Sequence, residues 1–433
     1  MVQQKIFSKL NKTEKNQFLK NVLTIFSGTT IAQIINFSAV IILQRYFYSP
    51  EEYAPFRLFF EFAAVFSSVA ALRLESGLIL EREDSRALYL LRICLKYAVI
   101  VSLIGGVIFT LYFTNEIKVF QHEWLLIILM PIAIFTNGII QISQSFFTRA
   151  KQFSTISASK IIHSIMGGLT QIATGIIGFN FTGLIIGRIA GLFSADINYL
   201  NKFLKSNQWL KRNKIEEKRL IKKHKKFIFF TSPGIFVGNS INLIILIMLT
   251  HFYGDEFTGL TAAAIQYLGL ICMLFSSSFA QVYYNEIAQI NDAKKLISSY
   301  SYWIKRLGLV SIIGLVLLYF TPSSIVTYVL GEKWSGLLYI IKIISPWIGL
   351  MFMTSSLSYI FIRLGKQREI FFFDIFHLVL IVGTFFTSQL FFKDGFETLY
   401  VITIAQSIFY ILSISLAFKF LFANLKNKKL NLD

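Results

Sequence analysis

The sequence predicts an all-α polytopic membrane protein with about twelve transmembrane helices in two six-helix bundles. Three observations predict this class. Hydrophobic residues make up 55% of the 433-residue chain and charged residues 15%, which is too little charge to cover a soluble protein of this length. The apolar residues form runs of about 20, long enough to cross about 30 Å of hydrocarbon as helix. Lysine and arginine also concentrate in alternate loops.

Each predicted span is an apolar run bounded by polar, charged or turn residues. A lysine-rich segment, Met1 to Lys20, precedes the first run. Turn residues mark the tightest connections, with Asn115 after the third run and Gly178 and Asn180 after the fifth. The predicted spans, in chain order, are 22–43, 58–80, 89–113, 123–147, 155–178, 182–201, 227–251, 260–284, 304–328, 335–361, 370–392 and 396–421.

The charges of the loops predict the orientation of the chain. Of the 42 Lys and Arg residues, 34 fall in loops or tails on one side, five on the other side, and three inside spans. Because basic loops stay in the cytoplasm, we expect a multi-pass protein with both termini cytoplasmic. This topology also accounts for the net charge of +19, so we expect no nucleic-acid partner.

The basic segment 201–226 divides the predicted spans into two groups of six. We therefore expect an N-terminal bundle in 1–200, a cytoplasmic linker in 201–226, and a C-terminal bundle with its tail in 227–433. A shift of 205 residues aligns Glu51 with Glu256, and parallel repeats of this kind are typical of transporters whose halves rock about a central site. The linker has two interpretations, a surface for anionic lipids or partners, or a topogenic segment, and its closeness to span ends favours the second.

Polar residues recur at helical spacing within the predicted spans, which indicates helix faces turned to protein or water rather than lipid. Interhelical hydrogen bonds would explain any single stripe. Stripes in both halves favour a shared water-filled cavity. Its predicted lining is Gln33, Asn36, Glu61, Glu75, Asn137, Gln141, His163, Asn239, Gln266 and Gln281. Glu61, Glu75 and Asp374 are also candidates for ion coupling, and Asp374 could pair locally with His377.

Three basic residues inside spans require a reason, because a charge near the bilayer centre costs at least about 2.5–3.5 kcal/mol. Arg188 lies in the outer half of the sixth span and Lys342 about two turns into the tenth, and neither has an acid at helical spacing in its own span. Both are candidates to bind an anionic substrate, with snorkelling to the headgroups as the alternative. Arg73, on the face opposite Glu75, is the third candidate, and pairing inside the bundle is its alternative.

Several chemistries have no residues to support them. The sequence contains no GxxxxGK[ST] loop, so we expect no ATP hydrolysis by this chain. It offers no soluble segment large enough for a glycosyltransferase. Its two cysteines, Cys94 and Cys272, both lie in apolar runs, which excludes a disulfide framework and a Cys/His metal site. We therefore expect a transporter and not an enzyme, with no cofactor and no metal.

Three segments resemble the polysaccharide flippases (Wzx or RfbX-like) of the multidrug/oligosaccharidyl-lipid/polysaccharide (MOP) exporter superfamily. They are SGTTIAQIINFSAVIILQRYFYSPEEYAPF at 27–56, LRLESGLIL at 72–80, and LGEKWSGLLYIIKIISPWIGLMFMTSSLSYIFIRLGKQ at 330–367. The resemblance implies a V-shaped transporter, similar to the multidrug (MATE) members of that superfamily, that opens alternately to either side of the membrane.

The resemblance also implies a substrate. It would be an undecaprenyl-diphosphate-linked oligosaccharide, flipped from the cytoplasmic to the periplasmic leaflet of the bacterial inner membrane for O-antigen, capsule or exopolysaccharide synthesis. Expected partners are this lipid-linked oligosaccharide, membrane lipids, and a polysaccharide polymerase and chain-length regulator. The alternative is a MATE-type cation-coupled multidrug antiporter, which needs membrane carboxylates, whereas the first span carries Asn36 and no acid. Proton coupling, Na⁺ coupling and downhill flipping all stay open.

Overall fold

The computed structural model describes residues 12–81, 83–116, 124–205 and 213–430, and these residues form helices and no strand. A π-helical segment, Phe227–Thr231, joins α8 to α9, and a 3₁₀ turn, Glu332–Trp334, precedes α12. The α-helices are α1 Lys12–Tyr46, α2 Pro50–Ser67, α3 Glu75–Leu78, α4 Asp84–Glu116, α5 Trp124–Arg149, α6 Phe153–Ile177, α7 Phe181–Lys205, α8 Lys214–Lys226, α9 Ser232–Gln289, α10 Ala293–Tyr319, α11 Ser324–Leu330, α12 Leu337–Leu357, α13 Tyr359–Arg363, α14 Gln367–Phe391 and α15 Gly395–Leu430.

The predicted all-α membrane class is confirmed, since eight segments of the described chain are long and apolar enough to cross a membrane. One of them, Lys214–Ser276, includes most of α9, which is two helices joined at Gly254, where φ is 82°. Glycine adopts this left-handed geometry without the Cβ clash that other residues suffer. The second arm of α9, together with α2, α6 and α7, lies where the other spans are predicted. The protein is a multi-pass membrane protein.

Three predicted spans differ from the helices found. The predicted helix 335–361 is interrupted by a turn at Ser358, between α12 and α13. The predicted helix 58–80 is wrong as a continuous element, because α2 ends at Ser67 and α3 begins only at Glu75. The predicted helix 304–328 begins too late and ends too late. Helix α10 starts at Ala293, capped by the Asp292 carboxylate, which accepts a hydrogen bond from the Lys294 amide (2.8 Å). It ends at Tyr319, shortly before Pro322, which cannot continue a helix.

The described chain forms two compact units. The first contains Lys12–Gly259 and Val329–Gly331, and the second contains Leu260–Tyr328 and the chain from Glu332 onward. The first arm of α9 thus belongs to the first unit, where the Phe236 ring packs against Phe66 with centroids 5.5 Å apart. The division into bundles at 1–200 and 227–433 stays a prediction about the repeat.

Helix α8 lies within the segment predicted as a basic linker, and it is docked on the first unit. The Asn213 side chain caps it by accepting hydrogen bonds from the amides of Ile215 (3.1 Å) and Glu216 (3.2 Å). Leu220 and His224 are buried against the unit, while most of the basic side chains of α8 are exposed. The predicted linker therefore contains an amphipathic helix with one packed face.

A single buried carboxylate, Glu81, holds α8 in place. Its Oε1 lies 2.6 Å from Lys223 Nζ and 2.6 Å from His224 Nε2, and a second ion pair joins Arg86 to Glu216 at 3.0 Å. Burial alone would raise the pKa of the Glu81 carboxyl. The hydrogen bonds from Lys223 and His224 outweigh burial and hold this pKa below its usual value of 4.5.

Candidate functional site

The segment between α2 and α3 is a break in the helix, and serine side chains explain where it occurs. Ser67 Oγ donates to the Ala64 carbonyl (3.2 Å) and Ser68 Oγ to the Val65 carbonyl (2.7 Å). Such bonds compete with the helix ladder and favour bending. After them the backbone turns on i→i−3 bonds, as from Val69 to Phe66 at 3.2 Å.

Two consecutive residues of the break, Leu72 and Arg73, have left-handed backbones with φ of 51° and 59°. For residues with a Cβ this conformation costs of order 1–3 kcal/mol each. Their neighbours compensate, because Ala71 and Leu74 are buried in an apolar core with Leu78 and Cys94. Strain of this kind, held in place by packing, concentrates at functional sites.

The break creates a polar cavity of about 280 Å³ in the first unit. Three residues predicted as site residues, Arg73, Glu75 and Gln141, line it together. Arg73 Nη1 lies 3.3 Å from Glu75 Oε1, so the sequence prediction that these side chains occupy opposite faces is wrong. It assumed a continuous helix. The remaining lining residues are Ser76, Ile79, Gln144, Ser145 and Thr148.

Glu75 is the most confined charge of this cavity. The residue is 4% exposed, and neither of its carboxylate oxygens accepts a hydrogen bond from the described residues. Gln141 does not reach it, because its amide donates to the Ser67 carbonyl (3.2 Å) at the start of the break. Gln141 therefore holds the break, and the Glu75 carboxylate has Arg73 as its ionic partner.

A second group of predicted site residues surrounds Arg188, also in the first unit. Arg57 forms an ion pair with Glu61 one turn along α2. The Arg188 guanidinium lies over the Phe60 ring, 4.6 Å from its centroid, and interacts electrostatically with Arg57, Glu61 and His163. We call Arg57, Glu61 and Arg188 the guanidinium cluster. With two arginines and one glutamate it has one positive charge in excess.

Glycines on α7 bring Arg188 and His163 together. Gly183, Gly187 and Gly191 recur every four residues and form a ridge without side chains that packs on α6. A Cβ on Gly191 would lie 2.6 Å from the His163 carbonyl oxygen, and one on Gly187 would lie 2.4 Å from Gln171 Cγ. Both contacts are too short for a real side chain. This repeated spacing is the sequence signal from which the α6–α7 contact could have been predicted.

The other predicted cavity residues are dispersed. Gln33, Asn36 and Asn137 are half-buried, and Asn239 is exposed, all in the first unit. Gln266 is half-buried in the second unit, and the side chain of Gln281 lies outside the described set. Part of the stripe on α1 holds helices together, since Thr29 Oγ1 accepts a hydrogen bond from Lys160 Nζ (2.9 Å) on α6.

Lys342 and Asp374 lie in the second unit. Lys342 is half-buried, and its Nζ donates to the Thr321 carbonyl (3.1 Å) beyond the end of α10. Asp374 is half-buried on α14. Its expected pairing with His377 is not found, because His377 Nε2 bonds to Gln406 Oε1 (2.7 Å) and its ring stacks on Phe409.

One buried acid of the first unit escaped the sequence prediction. Asp196 on α7 is 8% exposed, and neither carboxylate oxygen has a hydrogen-bond partner among the described residues. At helical spacing on α7 its polar neighbour is Tyr199, three residues further on, and no longer stripe of polar residues marks Asp196 in the sequence. Among the described residues, no group of three His, Cys, Asp or Glu side chains is arranged to hold a metal ion.

The fold is that of MOP superfamily transporters. A multidrug resistance MATE family transporter of this superfamily, in an inward-facing conformation, has a TM-score of 0.66 and 16% identity, with 92% of this chain and 96% of that chain covered. A structure titled as the outward-facing conformation of such a transporter has a TM-score of 0.63 and 14% identity, with 93% of this chain and 96% of that chain covered. A MOP superfamily transporter from Pyrococcus furiosus, titled for a binding pocket of reverse polarity, has a TM-score of 0.63 and 15% identity, with 94% of this chain and 96% of that chain covered.

The family is shown by sequence. The chain belongs to the family described as Polysaccharide biosynthesis protein, whose model matches residues 42–339, more than half of the chain. The predicted resemblance to a polysaccharide family is therefore confirmed, and the fold is the one expected for it, that of MOP superfamily transporters. No curated protein sequence matches the chain.

Proposed function

We propose that the protein is a flippase for undecaprenyl-diphosphate-linked oligosaccharide repeat units. It moves them from the cytoplasmic to the periplasmic leaflet of a bacterial inner membrane, for the synthesis of a surface polysaccharide. Membership of the polysaccharide biosynthesis family and the fold of MOP transporters support a transporter rather than an enzyme. Both termini are cytoplasmic in this proposal, as the basic loops predict.

The guanidinium cluster is the observation from which we infer a diphosphate-linked substrate. A diphosphate presents several anionic oxygens, and the planar guanidinium of arginine matches phosphate with paired, charge-assisted hydrogen bonds. The contacts of Arg188 are to aromatic rings and to charges of both signs, and the cluster keeps one positive charge in excess. An anionic group bound beside Arg188 would neutralise that excess within the membrane. Lys342 and Arg73 are further cations that the substrate can meet along its path.

The same contacts disfavour a cationic drug as substrate. A cation-coupled multidrug antiporter needs carboxylates that are available inside the membrane. Glu61 forms an ion pair with Arg57, and Glu75 lies 3.3 Å from Arg73. Each of these two acids thus has an arginine partner, so neither presents a net negative charge to a drug at the guanidinium cluster or in the polar cavity. Asp374 and Asp196 belong to neither of these two sites.

Alternating access is the mechanism that fits this fold. Solved MATE family structures titled inward-facing and outward-facing both share the fold of this chain. We infer that this protein also exchanges between two such states, and that the lipid-linked diphosphate stays bound while it does so. A polysaccharide polymerase and its chain-length regulator would then use the flipped repeat unit.

The test is the leaflet distribution of undecaprenyl-linked glycan in cells with and without the gene. Loss of the gene should leave the lipid-linked repeat unit on the cytoplasmic face and abolish the surface polymer, and a plasmid copy should restore both. An unchanged distribution combined with new sensitivity to cationic dyes would instead indicate a drug antiporter.

A further inference from the structure

An apolar groove lies in the first unit between α4, α5 and α7, apart from the guanidinium cluster and the polar cavity. Its volume is about 710 Å³, within the range of roughly 300–1,000 Å³ typical of small-molecule sites. Leu95, Val99 and Phe193 line it and are exposed. Since α4 and α5 are long and apolar enough to cross a membrane, we infer that these exposed side chains face lipid and that an apolar ligand can enter the groove from the bilayer.

The groove contains a buried carboxylate. Asp196 lines it, is 8% exposed, and has two oxygens without a hydrogen-bond partner among the described residues. Burying an acceptor without a partner is costly, and native proteins rarely leave one so. A carboxylate in this setting requires a donor or a cation, and a ligand bound in the groove can supply it.

We propose that this groove binds an amphiphile with a primary ammonium head and a hydrocarbon chain. The ammonium donates to the Asp196 carboxylate and balances its charge, while the aliphatic and aromatic lining accommodates the chain. A neutral lipid tail alone would fill the groove but leave the carboxylate without a partner. Arg92 also lines the groove, so a head that carries a phosphate beside its ammonium also meets a cation there. A head with only negative charge would leave the Asp196 carboxylate without a donor.

The length of the groove suits a single alkyl chain. Along α4 its lining runs from Leu88 to Val99, which is about 16 Å at 1.5 Å per residue. Asp196 lies between residues of α7 that also line it, Phe193 and Leu200. The head therefore binds part-way along the groove, with apolar walls on either side. Neither Arg188 nor Arg73 lines the groove, so this site is separate from the proposed flippase site.

The experiment is photolabelling of the full-length protein in phosphatidylcholine nanodiscs. The probe is a dodecylamine with a diazirine in its chain, and the matched comparison is the alcohol of equal length. Labelled peptides are mapped by mass spectrometry. We expect the amine to label α4, α5 and α7 saturably, and excess dodecylamine to compete. Asp196→Asn should reduce this labelling by about tenfold or more, as expected for the loss of a charge-assisted hydrogen bond.

Two further variants keep the test decisive. Ser143 lines the groove, so Ser143→Phe narrows the groove without removing the carboxylate and should also abolish amine labelling. This variant tests the proposal even if the Asp196→Asn protein does not fold. Asp374→Asn, which removes a half-buried acid in the second unit, should leave labelling of the groove unchanged. Equal labelling by amine and alcohol, or unchanged labelling in a folded Asp196→Asn protein, would overturn the proposal, and so would the absence of saturable labelling.

Discussion

At the scale of single residues, Arg188 combines strong local contacts with an unbalanced charge. A cation over an aromatic ring gains about 0.5–2 kcal/mol, and the guanidinium lies 4.6 Å from the Phe60 centroid. The aromatic rings leave the positive charge of the guanidinium cluster in excess, whereas an anionic group of the substrate beside Arg188 would balance it.

Removing the positive charges should remove transport without removing the protein. We expect Arg188→Gln with Lys342→Gln to abolish flipping, because each charge-assisted hydrogen bond to phosphate is worth about 1.5–3 kcal/mol, or roughly 10- to 100-fold in affinity. The measurement is surface polymer formation alongside membrane abundance of the protein. The single variants separate the two residues, since Lys342 already bonds the Thr321 carbonyl.

The matched control for this pair is Lys393→Gln, which removes an exposed positive charge in the loop between α14 and α15. It should leave polymer formation unchanged. Normal activity in the double variant would exclude a cationic substrate site at Arg188 and Lys342.

At the residue level, the sequence indicated polar positions inside the spans, and the role of these residues in transport stays a prediction. Three predicted site residues, Arg73, Glu75 and Gln141, do line one cavity. Their pairing could not be predicted, because the 3.3 Å contact between Arg73 and Glu75 depends on left-handed backbones at Leu72 and Arg73. Asp196 was missed for a related reason, since burial of an isolated acid follows from tertiary packing and leaves no periodic pattern.

At the scale of elements, α8 illustrates how a basic linker is fixed to a helical unit. One face presents Leu220 and His224 to the unit, and Glu81 accepts hydrogen bonds from Lys223 and His224 at 2.6 Å each. The pKa of Glu81 is held below 4.5 in the folded protein. A depressed carboxyl pKa contributes stability that is complete above the usual pKa and is lost as the pH falls through the lowered value.

Replacing this carboxylate should loosen α8. We expect Glu81→Gln to destabilise the docked linker by about 2 kcal/mol, since it loses two charge-assisted hydrogen bonds of a buried group. Near neutral pH, limited trypsin digestion should cut the 211–226 segment faster in the variant than in the native protein. The difference in thermal unfolding midpoint between the two should narrow as the pH falls below the usual carboxyl pKa of about 4.5.

Glu83→Gln provides the comparison for that variant. Glu83 pairs with Arg86 at 3.2 Å, but its side chain is 58% exposed, and exposed pairs contribute about 0–1 kcal/mol. Its cleavage rate should match that of the native protein. Equal cleavage of the Glu81 and Glu83 variants would mean that Glu81 does not hold α8 in place.

Element-level prediction followed hydropathy closely and failed where local bonding interrupts a run. Among the described residues, each predicted span coincides with helix except within 58–80, within 304–328 and at Ser358 in 335–361. In the first, the Ser67–Ser68 pair ends α2, although the apolar residues continue to Leu80. In the second, the Asp292 cap starts α10 eleven residues before the apolar run suggested. Caps and serine bonds are short-range signals that a 20-residue hydropathy window averages out.

At the scale of the whole molecule, composition was sufficient to predict the class. Runs of apolar residues predicted a multi-pass helical membrane protein, and the fold shared with MOP transporters agrees. The boundary between compact units at Gly259 could not be predicted in this way. It depends on contacts such as Phe236 with Phe66, which join the first arm of α9 to helices far away in sequence.

The measurement that tests the central claim most directly is flipping by the purified protein in proteoliposomes. The probe is a fluorescent short oligosaccharide on undecaprenyl diphosphate, and the readout is the fraction of probe that a membrane-impermeant quencher can reach. We predict rapid equilibration between leaflets with native protein and no equilibration beyond protein-free vesicles with Arg188→Gln, Lys342→Gln protein. Two results would contradict the claim that the protein is a flippase that recognises the diphosphate through its cations. One is an equal flipping rate for the two proteins, and the other is no flipping by the native protein in either direction across the membrane.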